Sequence, residues 1–313
     1  MLGMAESLPE FRFVEYDDSL AGPNVVVDGS ANRATVLTLS HWPGAPTPAP
    51  LQRDLSAEIA FAYLEHPEWW VEANMVTNNH YDQDGLVSVL ALVDPERAAE
   101  HRRLLVDIAA AGDFGTYSDR RAARASMVIA AWGDVQLGYS ATLPMLLPLA
   151  LDPEPYRHVW QSEDDHLTQS EAAVADGTIT ISELPEIDLA VVSVPDHEPS
   201  RSGHRFAHQT FEGVHPMAVH NATERFRLLV LHGHRFRYVD RYETWVQYQS
   251  RPTLPRVDLR PLADRLTELD DVRWQAGAPG QLTPELEHEG ESSLSARMVT
   301  ELVVEHLSSP ENA

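Results

Sequence analysis

The chain has 313 residues, 43% hydrophobic and 23% charged, so two soluble domains with separate cores are expected, and no apolar run reaches the roughly 18 residues needed to span a bilayer. It contains neither cysteine nor lysine, which excludes disulfides, thiolate nucleophiles, thiolate metal sites, Schiff bases and phosphate-loop lysines. A net charge of −25 disfavours a general nucleic-acid binder, whose nonspecific affinity needs cations against phosphates.

The first ten residues carry acids where a secretory signal would carry basic residues and an apolar core, and the protein is expected in the cytoplasm. Asn24 to Asp28 reads as a buried strand, and Ala34 to Ser40 as strand or helix. Pro43, Pro46, Pro48 and Pro50 impose an irregular loop. Leu55 to Leu64 has helical spacing with Ser56 as its cap, and Ala73 to Thr77 is a short strand entering an acidic segment. Leu86 to Leu92 leaves that segment as helix, Asp94-Pro95 opens another helix to Ala111, and Gly112-Asp113-Phe114-Gly115 breaks the chain. Ser118 to Trp132 reads as an alanine-rich helix. From Leu137 to Asp176 the pattern loosens into proline-rich and acidic stretches, where a boundary fits. Hairpin texture follows, with strands over Thr178 to Ser182, Ile187 to Val194, Phe226 to Leu231 and His234 to Val239, and a further strand over Tyr242 to Tyr248. Helices over Leu259 to Leu269 and Ser292 to Leu307 end the chain. The fold expected is α/β: a mainly parallel sheet with flanking helices over residues 1–165, and a smaller α+β domain over 166–313.

The segment His80-Tyr81-Asp82-Gln83-Asp84-Gly85 carries the chemistry. The segment is expected to be the end of a buried strand, whose alternation points His80, Asp82 and Asp84 the same way, and Gly85 permits a tight exit. Two carboxylates and an imidazole suit a manganese- or magnesium-class ion, and strand carboxyl ends are where open α/β sheets bind ligands. A plain Asn78-Asn79 turn competes with this reading, whereas a calcium loop lacks its acidic twelfth position.

The run from Asn79 to Ser88 resembles the first motif of the DHH phosphoesterases. The resemblance implies a parallel-sheet domain binding manganese or magnesium, two ions sharing a bridging carboxylate, and a smaller C-terminal domain that contacts substrate. The Asp-His-His triplet that names the family is absent. Asp28 with His41 can fill its role in a changed order; Asp196-His197 and Asp164-Asp165-His166 are alternatives. Gly112-Asp113-Phe114-Gly115 is similar to the family's last acidic motif. The implied metal set is Asp28, His41, His80, Asp82, Asp84 and Asp113, with Asp82, Asp84 and His41 as catalytic residues.

Between Arg225 and Arg265 nine arginines face four acids, a basic island in an acidic chain. Arginine forks suit phosphate, so Arg235, Arg237, Arg241, His220 and Asn221 are candidate substrate contacts. The pairs Arg225/Arg227 and Arg235/Arg237 would each share a hairpin face. The function expected is hydrolysis of a small anionic phosphate-containing or nucleotide substrate rather than an extended nucleic acid. The alternative is a noncatalytic nucleotide- or phosphate-sensing protein of the same fold. An amide hydrolase would leave the island without purpose, and no Gly-x-Ser-x-Gly elbow supports serine hydrolysis. A homodimer is open on this reading.

Overall fold

A computed structural model describes residues 8–17, 21–196 and 209–309. It is a mixed α/β protein of two compact units: residues 1–161 with 246–251, and residues 162–245 with 252–313. The units divide after Gln161, close to the boundary expected at 165 and inside the same helix, and the stretch 246–251, expected in the second domain, belongs with the first. His197 lies outside the described residues. No helix among the described residues is long and apolar enough to cross a membrane.

The first unit is built on a four-stranded parallel sheet. Its strands are β1 (Arg12–Phe13), β2 (Asn24–Val27), β3 (Thr35–Leu39) and β4 (Met75–Thr77), in the spatial order β1-β4-β2-β3. Val25, Val26, Val27, Leu39 and Val76 are fully buried, as expected of parallel strands covered on both faces. Around them lie α1 (Ser56–Glu65), α2 (Gln83–Val93), α3 (Pro95–Glu100), α4 (Arg102–Asp113), α5 (Arg120–Asp134) and α6 (Tyr139–Leu151). From Gln83 to Leu92 every residue of α2 is buried, the pattern of a core helix.

Several expectations need correction. The strand before the acidic segment stops at Thr77, so His80 lies in a loop, Asp82 caps α2 and Asp84 sits in its first turn. Strand alternation therefore does not gather these side chains; a short β4 followed by a helix start does. The helix expected to break at Gly112 continues through Asp113, and the reversal comes at Gly115, whose φ of +63° is left-handed. The loose region from Leu137 to Asp176 is mostly helical: α6, then α7 (Arg157–Ala175). Pro144 and Pro148 sit inside α6 on its exposed side. Their local sequence signal is that of a breaker, and only packing of the opposite face holds the helix.

The second unit has a six-stranded mixed sheet in the order β5-β6-β7-β8-β10-β9, formed by β5 (Thr180–Leu184), β6 (Leu189–Val194), β7 (Arg227–His232), β8 (Arg235–Asp240), β9 (Trp274–Ala276) and β10 (Glu285–His288). One face packs Leu229, Leu231, Phe236, Tyr238 and Leu286 against α9 (Arg260–Leu269) and α10 (Ala296–Leu307). The short α8 (Pro216–Ala222) precedes β7. The strand expected over Tyr242 to Tyr248 is absent; residues Tyr242–Thr244 make one 3-10 turn and the chain then passes to the first unit.

Candidate metal centre

Because β2, β3 and β4 are parallel neighbours, their carboxyl ends open on one edge. Asp28 follows β2, His41 follows β3 by two residues, and His80 and Asp82 follow β4. Asp28 takes a φ of +43°, the left-handed region that Asp tolerates better than most residues, so that the chain reverses towards β3 at the strand end. Asn78 ties two of the loops together. Its Nδ2 donates to the Asp28 carbonyl (3.2 Å), and its Oδ1 accepts from the His80 amide (2.8 Å).

Two helix ends supply the remaining carboxylates. Asp84, fully buried, accepts from the Ser56 amide (2.8 Å) and the Ala57 amide (2.7 Å) at the start of α1. Those amides have no partner within their own helix, and the helix dipole favours an anion there. Asp82 accepts from the Gly85 amide (2.8 Å) as the cap of α2. A side chain at Gly85 would collide with Asn78 Nδ2 and Tyr139 Oη, each 2.4 Å from an added Cβ, so the α2 start requires glycine. Asp113 comes from the last residue of α4, where the dipole opposes a negative charge. Gly112 beside it lets α4 lie against Gln83, whose side chain an added Cβ would meet at 2.6 Å.

The six residues Asp28, His41, His80, Asp82, Asp84 and Asp113 thus come together within one unit. His41 Nε2 stands 3.4 Å from Asp28 Oδ1, 3.8 Å from Asp84 Oδ2 and 3.5 Å from Asp113 Oδ2. His80 Nε2 lies 2.7 Å from Asp82 Oδ2 and 3.3 Å from Asp28 Oδ2. Two ligand groups result, Asp28/His41/Asp84 and Asp28/His80/Asp82, in each of which the donor atoms lie within 4.8 Å of one another. Asp28 belongs to both. Ligands held ~2.1 Å from one ion stand roughly 3 to 4 Å apart, so both groups are near coordination spacing.

The state of His41 sharpens this. Its Nδ1 is 2.6 Å from the Asp54 carbonyl oxygen, which can only accept, so Nδ1 carries the proton. Burial lowers the pKa of His41 against the pull of Asp28, which keeps the ring neutral. A neutral ring of that tautomer directs its Nε2 lone pair towards the carboxyl groups of Asp28, Asp84 and Asp113. Asp28 Oδ2 is buried and has no well-aligned hydrogen bond among the described residues. Burial, followed by the neighbouring carboxylates, pushes Asp84 and Asp113 well above the ordinary aspartate range. Burial works against a charged His80, but Asp82 and Asp28 outweigh it and push its pKa up to about 12. Without a metal ion His80 therefore holds a proton between Asp82 and Asp28, one that a bound cation would displace to gain the ring nitrogen.

Residues not anticipated complete the site. Ser56 Oγ donates to Asp28 Oδ1 (2.9 Å) and accepts from the His41 amide (3.2 Å), and Tyr139 Oη donates to the His80 carbonyl (2.9 Å). Asn78 adjoins the motif in sequence and was readable only as a turn residue; Tyr139 had no signal.

The candidate substrate contacts are placed differently, all in the second unit. Arg241 is buried, pairs with Glu243, and donates to the Thr223 carbonyl (3.1 Å) and weakly to that of His220 (3.4 Å), which makes it an internal brace. Its flanking aromatics signalled burial rather than exposure to substrate. Arg227 is likewise buried, donating to the carbonyls of Ile187 and Pro255, while Arg225 lies near Glu183 and Asp188. His220 is buried against Gln209 (3.1 Å) and Asn221 is exposed at the end of α8. Arg235 and Arg237 do share a face and border a cavity of about 390 Å³, but they pair with Glu291 (3.2 Å) and Glu287 (2.5 Å). Asp164, Asp165 and His166 lie on α7, and Asp196 follows β6, both in the second unit.

Residues 9–309 match a family of unknown function, DUF6687, and the chain belongs to that family. Neither a curated protein nor a solved structure matches the sequence.

Proposed function

We propose that this member of the DUF6687 family is a metal-dependent phosphohydrolase with a DHH-like centre, in which Asp28 and His41 serve in place of the missing triplet. The ligands would be Asp28, His41, His80, Asp82, Asp84 and Asp113, and the ions Mn2+ or Mg2+, two per chain. The observation that carries this reading is the pair of ligand groups sharing Asp28, one of which aims the neutral His41 Nε2 at carboxylates. Bound ions would neutralise phosphoryl oxygens and lower the pKa of an attacking water. The chain itself fixes the donors: α1 amides hold Asp84, the Asp54 carbonyl sets the His41 tautomer, and Ser56 orients Asp28. Such chemistry requires no protein nucleophile, in keeping with a chain lacking cysteine and lysine.

The substrate of this reading is a small phosphorylated molecule or nucleotide in the cytoplasm, because a net charge of −25 repels a long polyanion. The test is to strip the protein with chelator, restore Mn2+, count bound metal by mass spectrometry, and assay pyrophosphate and bis(p-nitrophenyl) phosphate. Two ions per chain with hydrolysis that disappears in Asp82→Asn and Asp84→Asn are expected. Two ions without turnover of any phosphoester would favour a noncatalytic sensor, and no bound metal would defeat the hydrolase reading.

A further inference from the structure

The stretch 246–251 lies between two parts of the second unit in sequence but is part of the first, where it meets the surroundings of His41. The Gln247 amide donates to the His41 carbonyl (2.7 Å), and its side chain reaches the Ala45 carbonyl (3.4 Å). Tyr248 packs edge-on against Phe114, the residue after Asp113, with ring centroids 5.7 Å apart. The amides of Gln249 (2.6 Å) and Ser250 (2.9 Å) both donate to Asp54 Oδ1, and Ser250 Oγ donates to Asp54 Oδ2. Asp54 is the residue whose carbonyl holds His41 Nδ1. One residue therefore grips the returning segment with its side chain and the imidazole with its backbone.

We propose that Asp54 is a positioning residue for His41, and that its grip on residues 246–251 couples the seating of that segment to metal occupancy. The proposal rests on the metal-centre reading above. Outer partners that orient a ligating histidine govern how well its lone pair is aimed, and their loss typically costs 10- to 100-fold in metal affinity. Coupling of this kind is reciprocal: if a seated segment strengthens metal binding, bound metal must hold the segment seated by the same factor. The Gln247, Gln249 and Ser250 amides report on seating directly, because each donates one of the bonds described.

The full-length chain is titrated with Mn2+, bound metal is followed by electron paramagnetic resonance, and amide hydrogen exchange is measured with and without the ion. In the wild type, Mn2+ slows exchange at Gln247, Gln249 and Ser250 by about 10- to 100-fold. Asp54→Ala keeps the backbone carbonyl but releases the segment, so it weakens Mn2+ binding by a factor in that range and removes the metal-dependent protection. Ser250→Ala, which deletes one donor and spares the fold, does the same to a lesser degree. A purely structural role would lower the melting temperature of the metal-free protein and leave the Mn2+ response of the three amides intact. Wild-type binding matched by both variants, or exchange at these amides indifferent to Mn2+, overturns the coupling alone. A wild type that takes up no Mn2+ overturns the metal centre and the coupling together.

Discussion

Replacing Asp28 by asparagine probes the shared position of its carboxylate. Asn accepts the left-handed φ of +43° as readily as Asp, so the strand end keeps its shape. Asp28 Oδ1 faces His41 and Oδ2 faces His80, whereas Asp82 belongs only to the group with His80. An ion present at 100 times its dissociation constant stabilises the fold by about 2.7 kcal/mol. For a unit of this size that raises the melting temperature by roughly 5 to 11 °C per ion. The wild type should show the contribution of two ions, Asp82→Asn that of one, and Asp28→Asn close to none. Both variants remove one negative charge from the same cluster, so a general electrostatic effect would treat them alike. Thermal melts at matched Mn2+ excess, with metal counting, decide the matter. Equal losses in the two variants would refute the shared role of Asp28 in both ligand groups.

Two further outcomes are expected. In the metal-free protein, Asp84, Asp113 and His80 have folded pKa values above their unfolded ones, so the folded state holds protons that unfolding releases. Stability from His80 is complete below about pH 6.5 and is lost as pH rises towards 12, by up to about 1.4 kcal/mol per pH unit. The carboxylate contributions fade in the same direction, from above pH 3.8. His41, lowered by burial, acts oppositely and only below pH 6.5. Metal-free melting temperature should therefore fall from pH 7 to 9, and a rise across that window would contradict the assignment. Arg241→Ala should cost about 3 to 5 kcal/mol in urea unfolding, because it leaves Glu243 charged and buried. Arg235→Ala, on a partly exposed pair, should stay within about 1 kcal/mol, and equal urea midpoints for the two would show that Arg241 is not a brace.

Much of the first unit was legible in sequence. Val25, Val26 and Val27 form a run of β-branched residues of the kind a doubly covered strand buries, and the apolar stretch after Gly85 reads as a helix and is a buried one. The six residues that come together at the strand ends were candidates by residue type, order and resemblance. Strand alternation was the wrong reason for His80, Asp82 and Asp84 to converge: all three lie beyond the end of β4 at Thr77, and local pattern does not reveal that Asp84 faces the start of α1. The arginine island misled for a similar reason. Alternation assigns Arg235 and Arg237 to one face, but it does not disclose that Glu287 lies opposite on β10 or that Arg241 points inward.

The sequence by itself determined chemical type and local periodicity: which segments could be strands or helices, which reactions lacked their residues, and which loops held carboxylates and imidazoles. Only the tertiary structure decided which oxygen meets which nitrogen. The order β1-β4-β2-β3 sets the loop after β4 beside the loop after β2, so that His80 reaches Asp28. The return of residues 246–251 brings Ser250 to Asp54 across nearly two hundred positions. Such contacts depend on strand order and long-range packing, and neither is encoded in the spacing of neighbouring residues.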